Sequence, residues 1–146
     1  MNKIFYLWVV LSIATTTFAQ SVKTMDKKES NQKILVAYFS ATGTTARAAR
    51  TVANISGGEL YTITPEKPYT DADLNWNDKK SRSSVEMNNP KARPALGGKK
   101  LDISNYDVIF IGYPIWWNLA PRIINTFIES QEWKGKIIIP FATSGS

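Results

Sequence analysis

Two short segments carry residue types that suit ligand chemistry. Residues 40–45 read Ser40-Ala41-Thr42-Gly43-Thr44-Thr45 and follow directly on an apolar run, with a helical pattern behind them. A tight turn there points free backbone N–H groups at one spot, and the following helix adds its positive end. Gly43 permits close backbone approach and four hydroxyls stand ready as donors, so the segment suits a terminal monophosphate. The alternative is a hydroxyl-rich helix cap. The second segment is Pro114-Ile115-Trp116-Trp117-Asn118, again after an apolar run. Adjacent tryptophans in a loop offer flat surface to a planar heterocycle, unless they pack against residues 64–100. There is no cysteine and no histidine. That excludes a thiolate nucleophile, disulfides, Fe–S ligation and sulfur-bound zinc, and it removes the usual general base. The Gly-Lys-Ser/Thr of nucleotide-triphosphate loops and the dinucleotide Gly-x-Gly-x-x-Gly are both absent.

The elements that must position these loops follow from the apolar runs 34–39, 108–111 and 137–141. None alternates polar with apolar, which predicts parallel strands covered on both faces. A weaker strand is expected at 59–63. Helix 44–55 should turn Ala46, Ala49, Val52 and Ala53 inward and Arg47 and Arg50 outward. Pro121 suits a first helical turn, and Ile124, Phe127 and Ile128 form the stripe of a helix over 121–129. Four strands and about three helices give right-handed βαβ crossovers in a three-layer α/β domain. Residues 71–87 are expected to form one helix, partly burying Leu74, Trp76 and Val85. The turn signals at 89–98 make the rest of 64–105 irregular. An Arg82–Glu86 pair in that stretch reads as surface helix support. Asp71, Asp73 and Asp78 read as a solvated helix start rather than a metal site. Tyr69, Trp76, Arg93 and Pro94 are weaker candidates nearby.

The chain has 146 residues, 43% of them apolar and 21% charged, with a net charge of +6. That is a globular mixture for one domain. Lys3, the apolar residues 4–11 and the small residues up to Ala19 describe a signal peptide, cut after Ala19. The run is short for a membrane span, although an uncleaved anchor is the alternative. The expected location is therefore periplasmic or secreted, with no stable membrane insertion after processing. The basic excess is scattered and carries no nucleic-acid motif, so no nucleic-acid partner is expected.

In order and spacing the sequence resembles a flavodoxin over residues 33–146. The phosphate-loop pattern Ser/Thr-x-Thr-Gly-x-Thr is met by Ser40, Thr42, Gly43 and Thr45. Pro-Ile-Trp-Trp after the third strand and Thr143-Ser144-Gly145 after the fourth are similar to a bacterial flavodoxin-like branch. The resemblance implies a three-layer flavodoxin-like parallel sheet of strand order 2-1-3-4, with the usual fifth strand and its helix missing. The domains would be a signal peptide (1–19), a flexible lead-in (20–32) and a C-terminally truncated FMN-binding domain (33–146). FMN is the implied cofactor. Its 5′-phosphate would lie on Ser40, Ala41, Thr42, Gly43, Thr44 and Thr45. Its ring would lie against Pro114, Ile115, Trp116, Trp117 and Asn118. Its pyrimidine edge would meet Thr143, Ser144 and Gly145, the alternative for that tail being a frayed end. No catalytic residue and no metal ligand is assigned. The implied role is electron transfer, or reduction of a small acceptor such as a quinone, with a redox protein or that acceptor as partner. The basic charge departs from the usually acidic flavodoxins. A bare last strand would invite a homo-oligomer through the sheet edge. The alternatives are a scaffold kept as a non-enzymatic binding module, or a phosphate- or nucleotide-binding protein using only residues 40–45.

Overall fold

A computed structural model describes residues 32–144. The expected signal peptide, residues 20–31 of the lead-in, and Gly145 and Ser146 lie outside the described residues. The elements are β1 (Ile34–Tyr38), α1 (Thr44–Ser56), β2 (Glu59–Thr62), β3 (Thr64–Pro65), α2 (Arg82–Asn88), β4 (Leu96–Gly97), β5 (Val108–Pro114), α3 (Arg122–Glu129) and β6 (Ile137–Thr143). The main sheet has the order β2-β1-β5-β6, all parallel, which is the expected 2-1-3-4 arrangement.

β1 explains the layering. Its side chains alternate across the sheet. Leu35 and Ala37, with Phe39 just beyond the strand, join Ile109, Ile111, Ile123, Ile124 and Phe127 on the α3 face. Val36 and Tyr38 join Ala49 and Ala53 on the α1 face. Both faces are buried, so the run has no polar positions to alternate. α1 packs as its alanine spacing predicts, with Ala49 and Ala53 buried and Arg47 and Arg50 exposed. In β5, Gly112 leaves room for the Phe141 ring on neighbouring β6: a Cβ there would stand 2.2 Å from it.

Several expectations are corrected. The sheet was expected to lack its last strand and helix. Instead the described residues carry six strands, β6 among them, and three helices, which overturns the expectation of a missing strand and helix. The count of four strands passed over β3 and β4, which pair antiparallel in a separate sheet through two residues each. Strands that short leave no apolar run to read. The single helix expected over 71–87 contracts to α2. Local side-chain bonds compete with the helix before it: Thr70 N–H and Oγ1 both donate to Asp73 Oδ2, Asn77 N–H to Asn75 Oδ1, and Lys80 N–H to Asp78 Oδ1. Trp76 and Val85 are exposed rather than partly buried. α3 buries Ile123, Ile124 and Phe127, leaving Ile128 at the rim of the packed face. β6 is covered less than its sequence suggests. Among the described residues it pairs only with β5, and Ile137, Ile138 and Ile139 stay exposed. Among the described residues, no helix is long and apolar enough to cross a membrane.

Candidate functional site

Three loops leave the carboxyl ends of β1, β5 and β6, where ligands bind in open α/β sheets. The first begins where the Phe39 N–H donates to Gly112 O (2.9 Å), continuing the β1–β5 ladder. Ser40 Oγ accepts from the Gly43 N–H at 3.1 Å and closes the turn. Gly43 takes the left-handed conformation, φ 92°, that lets the chain reverse into α1. Nothing lies within 4 Å of where a Cβ on Gly43 would stand. The first helical bond runs from the Arg47 N–H to Gly43 O (3.1 Å), so the N–H groups of the first turn have no intrahelical acceptor. Thr42, Gly43 and Thr44 are exposed, Ser40 and Ala41 half-buried, and Thr45 buried. Thr45 therefore braces the loop rather than lining it openly. Its Oγ1 lies 2.8 Å from Thr143 Oγ1, at the end of β6.

The second loop is fastened at the same point, because the Ile115 N–H donates to Thr143 O at 2.9 Å. Trp116 and Leu119 then exchange both backbone hydrogen bonds, each 2.9 Å. The two residues between them, Trp117 (φ 47°) and Asn118 (φ 62°), are both left-handed. This is the pattern of a type I′ turn. Asparagine suits it. Tryptophan there is a steric outlier, of the kind retained where the surroundings over-determine it.

The two tryptophans do different things. Trp116 is half-buried, edge-on to Phe39 (5.7 Å between centroids, 84°) and to Tyr69 (5.5 Å, 84°). Trp117 is 44% exposed, with Ile115 and Leu119 also exposed beside it. The alternative, that the pair packs against residues 64–100, thus describes Trp116, which meets Tyr69, while Trp117 stays available at the surface. Of the third loop, Thr143 ties the other two together, Ser144 is exposed, and Gly145 lies outside the described residues. Ser40 to Thr45, Pro114 to Asn118, and Thr143 and Ser144 therefore share one end of the sheet.

Sequence reasoning passed over part of the surroundings. A cavity of about 210 Å³ opens beside the first loop, between Phe39, Ser40 and Ala41 on one side and Pro65, Pro68 and Tyr69 on the other. Phe39 was legible only as the end of an apolar run. Pro65 and Pro68 lie in the stretch read only as irregular. The i,i+4 pair of Arg82 and Glu86 forms as expected, but it is half-buried rather than on the surface. Their side chains are 24% and 13% exposed, and Arg82 Nε donates to Glu86 Oε1 at 2.7 Å. The Tyr69 hydroxyl donates to the Glu86 carboxylate, and the Arg82 guanidinium lies 4.0 Å from the Tyr69 ring centroid. Burial first, and the Glu86 bond next, push the Tyr69 phenol well above its usual range.

A family model described as flavodoxin matches residues 33–146. The chain belongs to the flavodoxin family. Solved structures agree. A protein of Bacteroides eggerthii, classed as a flavoprotein, is 69% identical, with a TM-score of 0.77 over 80% of this chain and 73% of its own. A Bacteroides uniformis protein of the same class is 66% identical, with a TM-score of 0.77 over 79% and 74% of the two chains. A Lactobacillus acidophilus flavoprotein, crystallised in complex with FMN, is 25% identical, with a TM-score of 0.64 over 79% and 76%. No curated protein matches. FMN is the cofactor of this flavodoxin fold, and the residues present fit it. The open space at Gly43 and the α1 first-turn N–H groups, which have no intrahelical acceptor, suit a phosphate, and the exposed Trp117 suits a ring. None of the three loops carries a carboxylate that would repel an anion.

Proposed function

We propose that this flavodoxin binds FMN across the loops 40–45, 114–118 and 143–145 and uses it to carry electrons. The recipient would be a redox protein or a small acceptor such as a quinone. The observation that carries the reading is the junction at Thr143. Its hydroxyl contacts Thr45 at 2.8 Å and its carbonyl accepts from Ile115 at 2.9 Å, so the phosphate and ring loops are joined at one point.

Bound FMN supplies reversible acceptance and release of electrons, and the protein sets its position and surroundings. The exposed hydroxyls of Thr42 and Thr44 and the backbone N–H groups opening α1 would hold the phosphate, aided by the positive end of the helix, while Thr45 braces the loop through Thr143. Trp117 would cover one face of the ring and keep water from it. With no carboxylate in the three loops, the site has no fixed negative charge against the ring, which favours reduction. After loss of Lys3 with residues 1–19, the balance of 17 basic against 12 acidic side chains, a net of +5, suits an acidic partner more than a basic one. The amino-terminal segment supports processing after Ala19 and action in the periplasm or outside the cell.

The test is anaerobic reduction of the FMN-loaded protein followed by addition of a water-soluble quinone. The visible flavin absorption should bleach and then return, with a rate that saturates in quinone. Bound flavin that stays reduced in the presence of the quinone and of candidate redox proteins would refute the electron-carrying role.

A further inference from the structure

Tyr69, Arg82 and Glu86 form a polar cluster beside the ring loop that the account above leaves unused. Resting on the FMN reading, we propose that Tyr69 is a positioning residue for the ring site. Clamped by Arg82 and Glu86, it fixes Trp116 and, through it, the Trp117–Asn118 turn.

Tyr69 is held at both ends of its side chain. Its hydroxyl is engaged by Glu86, and its ring lies under the Arg82 guanidinium at 4.0 Å. Arg82 and Glu86 are joined at 2.7 Å, which closes a three-membered circuit. Arg82 Nη1 also donates to Lys67 O at 2.7 Å, pinning the segment that carries Tyr69 onto α2. The free edge of the cluster is the contact with Trp116 at 5.5 Å, and Phe39 at 5.8 Å completes the aromatic triangle. A leucine would fill such space without holding a direction. An edge-on aromatic pair does hold one.

α2 grips the far side of the ring loop too. Arg122, at the start of α3, donates from Nη2 to Met87 O at 2.9 Å and from Nε to Glu86 O at 3.4 Å. Trp116 enters the turn and Arg122 follows it, so α2 is linked to the loop at both ends. The left-handed Trp117 needs such support, since a strained residue persists only where its neighbours enforce it. The Tyr69 hydroxyl is already committed to Glu86, so Tyr69 acts through Trp116 rather than on the flavin itself.

The experiment is a double-mutant cycle read by FMN fluorescence quenching, with thermal unfolding and near-ultraviolet circular dichroism of the FMN-free proteins. Tyr69→Leu should weaken FMN binding about tenfold. Tyr69→Phe and Arg82→Gln, which keep the ring, should each weaken it about threefold. In a Trp116→Leu background all three losses should shrink below about twofold, because the route to the turn is gone. The tryptophan dichroism of FMN-free Tyr69→Leu should also change. Losses that multiply unchanged in the Trp116→Leu background overturn the proposal, as does wild-type affinity in the single variants. If Tyr69→Leu does not fold, Tyr69→Phe and Arg82→Gln decide by the same criterion. A wild-type chain that fails to quench FMN defeats the cofactor reading. Wild-type quenching with an additive cycle defeats this proposal alone.

Discussion

At the scale of single residues, two left-handed positions show how backbone and ligand demands diverge. Gly43 uses its conformational freedom twice, to enter α1 and to leave open space at the loop. Gly43→Ala should cost about 1–2 kcal/mol in unfolding experiments, the usual penalty for a side chain in that region. It should also weaken FMN binding, because the new methyl points into the cradle. Trp117 is the opposite case, a bulky residue where glycine would be relaxed. Trp117→Gly should therefore raise the stability of the FMN-free protein by about 1 kcal/mol while weakening FMN binding. Both are read from denaturant unfolding and from a flavin titration of the same sample. A fall in both quantities would mean that Trp117 serves packing rather than the ligand. The sequence made Gly43 and the tryptophan pair visible as chemistry. It did not separate Trp116 from Trp117, because that division depends on Phe39 and Tyr69, which lie 77 and 47 positions before Trp116 and meet it only in the fold.

At the scale of elements, strands β1 and β6 hold the site through their ends. The Thr45–Thr143 hydroxyl contact is partly buried and joins residues 98 apart. Thr45→Val removes one partner and should cost about 1 kcal/mol. It should also weaken FMN binding, and a titration showing unchanged affinity would mean that the contact is only structural. At the opposite end of the sheet, Tyr106 Oη donates to Glu59 Oε2 at 2.7 Å, with Lys33 3.4 Å from the same carboxylate group. Burial, and then the Glu59 bond, push the Tyr106 phenol from 10.0 up to about 12. The folded state thus favours the neutral phenol. That stabilisation is complete below pH 10.0 and is lost as pH rises through about 12. Glu59 is shifted the other way, first by the Tyr106 hydrogen bond and then by Lys33, so its contribution persists above the carboxylate range and fades on acidification. Tyr106→Phe should flatten the alkaline fall in unfolding free energy, and an unchanged slope would contradict the assignment. β1 and β5 were legible as unbroken apolar runs, and α1 by the helical spacing of its alanines. The start of α2 was not, because Asp73, Asn75 and Asp78 bind nearby backbone and hold the chain out of the helix until Arg82.

For the whole molecule, the parallel sheet covered on both faces followed from uniformly apolar strands between amphipathic helices, while its order 2-1-3-4 came from the resemblance to flavodoxins. The paired β3 and β4 and the clamp on α2 did not, since each depends on partners far apart in sequence. The exposed isoleucines of β6 were misjudged because an apolar run reports hydrophobicity, not the layer that covers it. What unites the molecule is a sheet whose carboxyl ends deliver a phosphate loop and a ring loop to one place, joined at Thr143. The most direct measurement is titration of the FMN-free protein with FMN and, separately, with riboflavin, which keeps the ring and lacks the phosphate. Quenching of FMN fluorescence at one flavin per chain, with riboflavin bound at least about tenfold more weakly, is the predicted result. Equal affinity for the two, or no quenching by either, would contradict it.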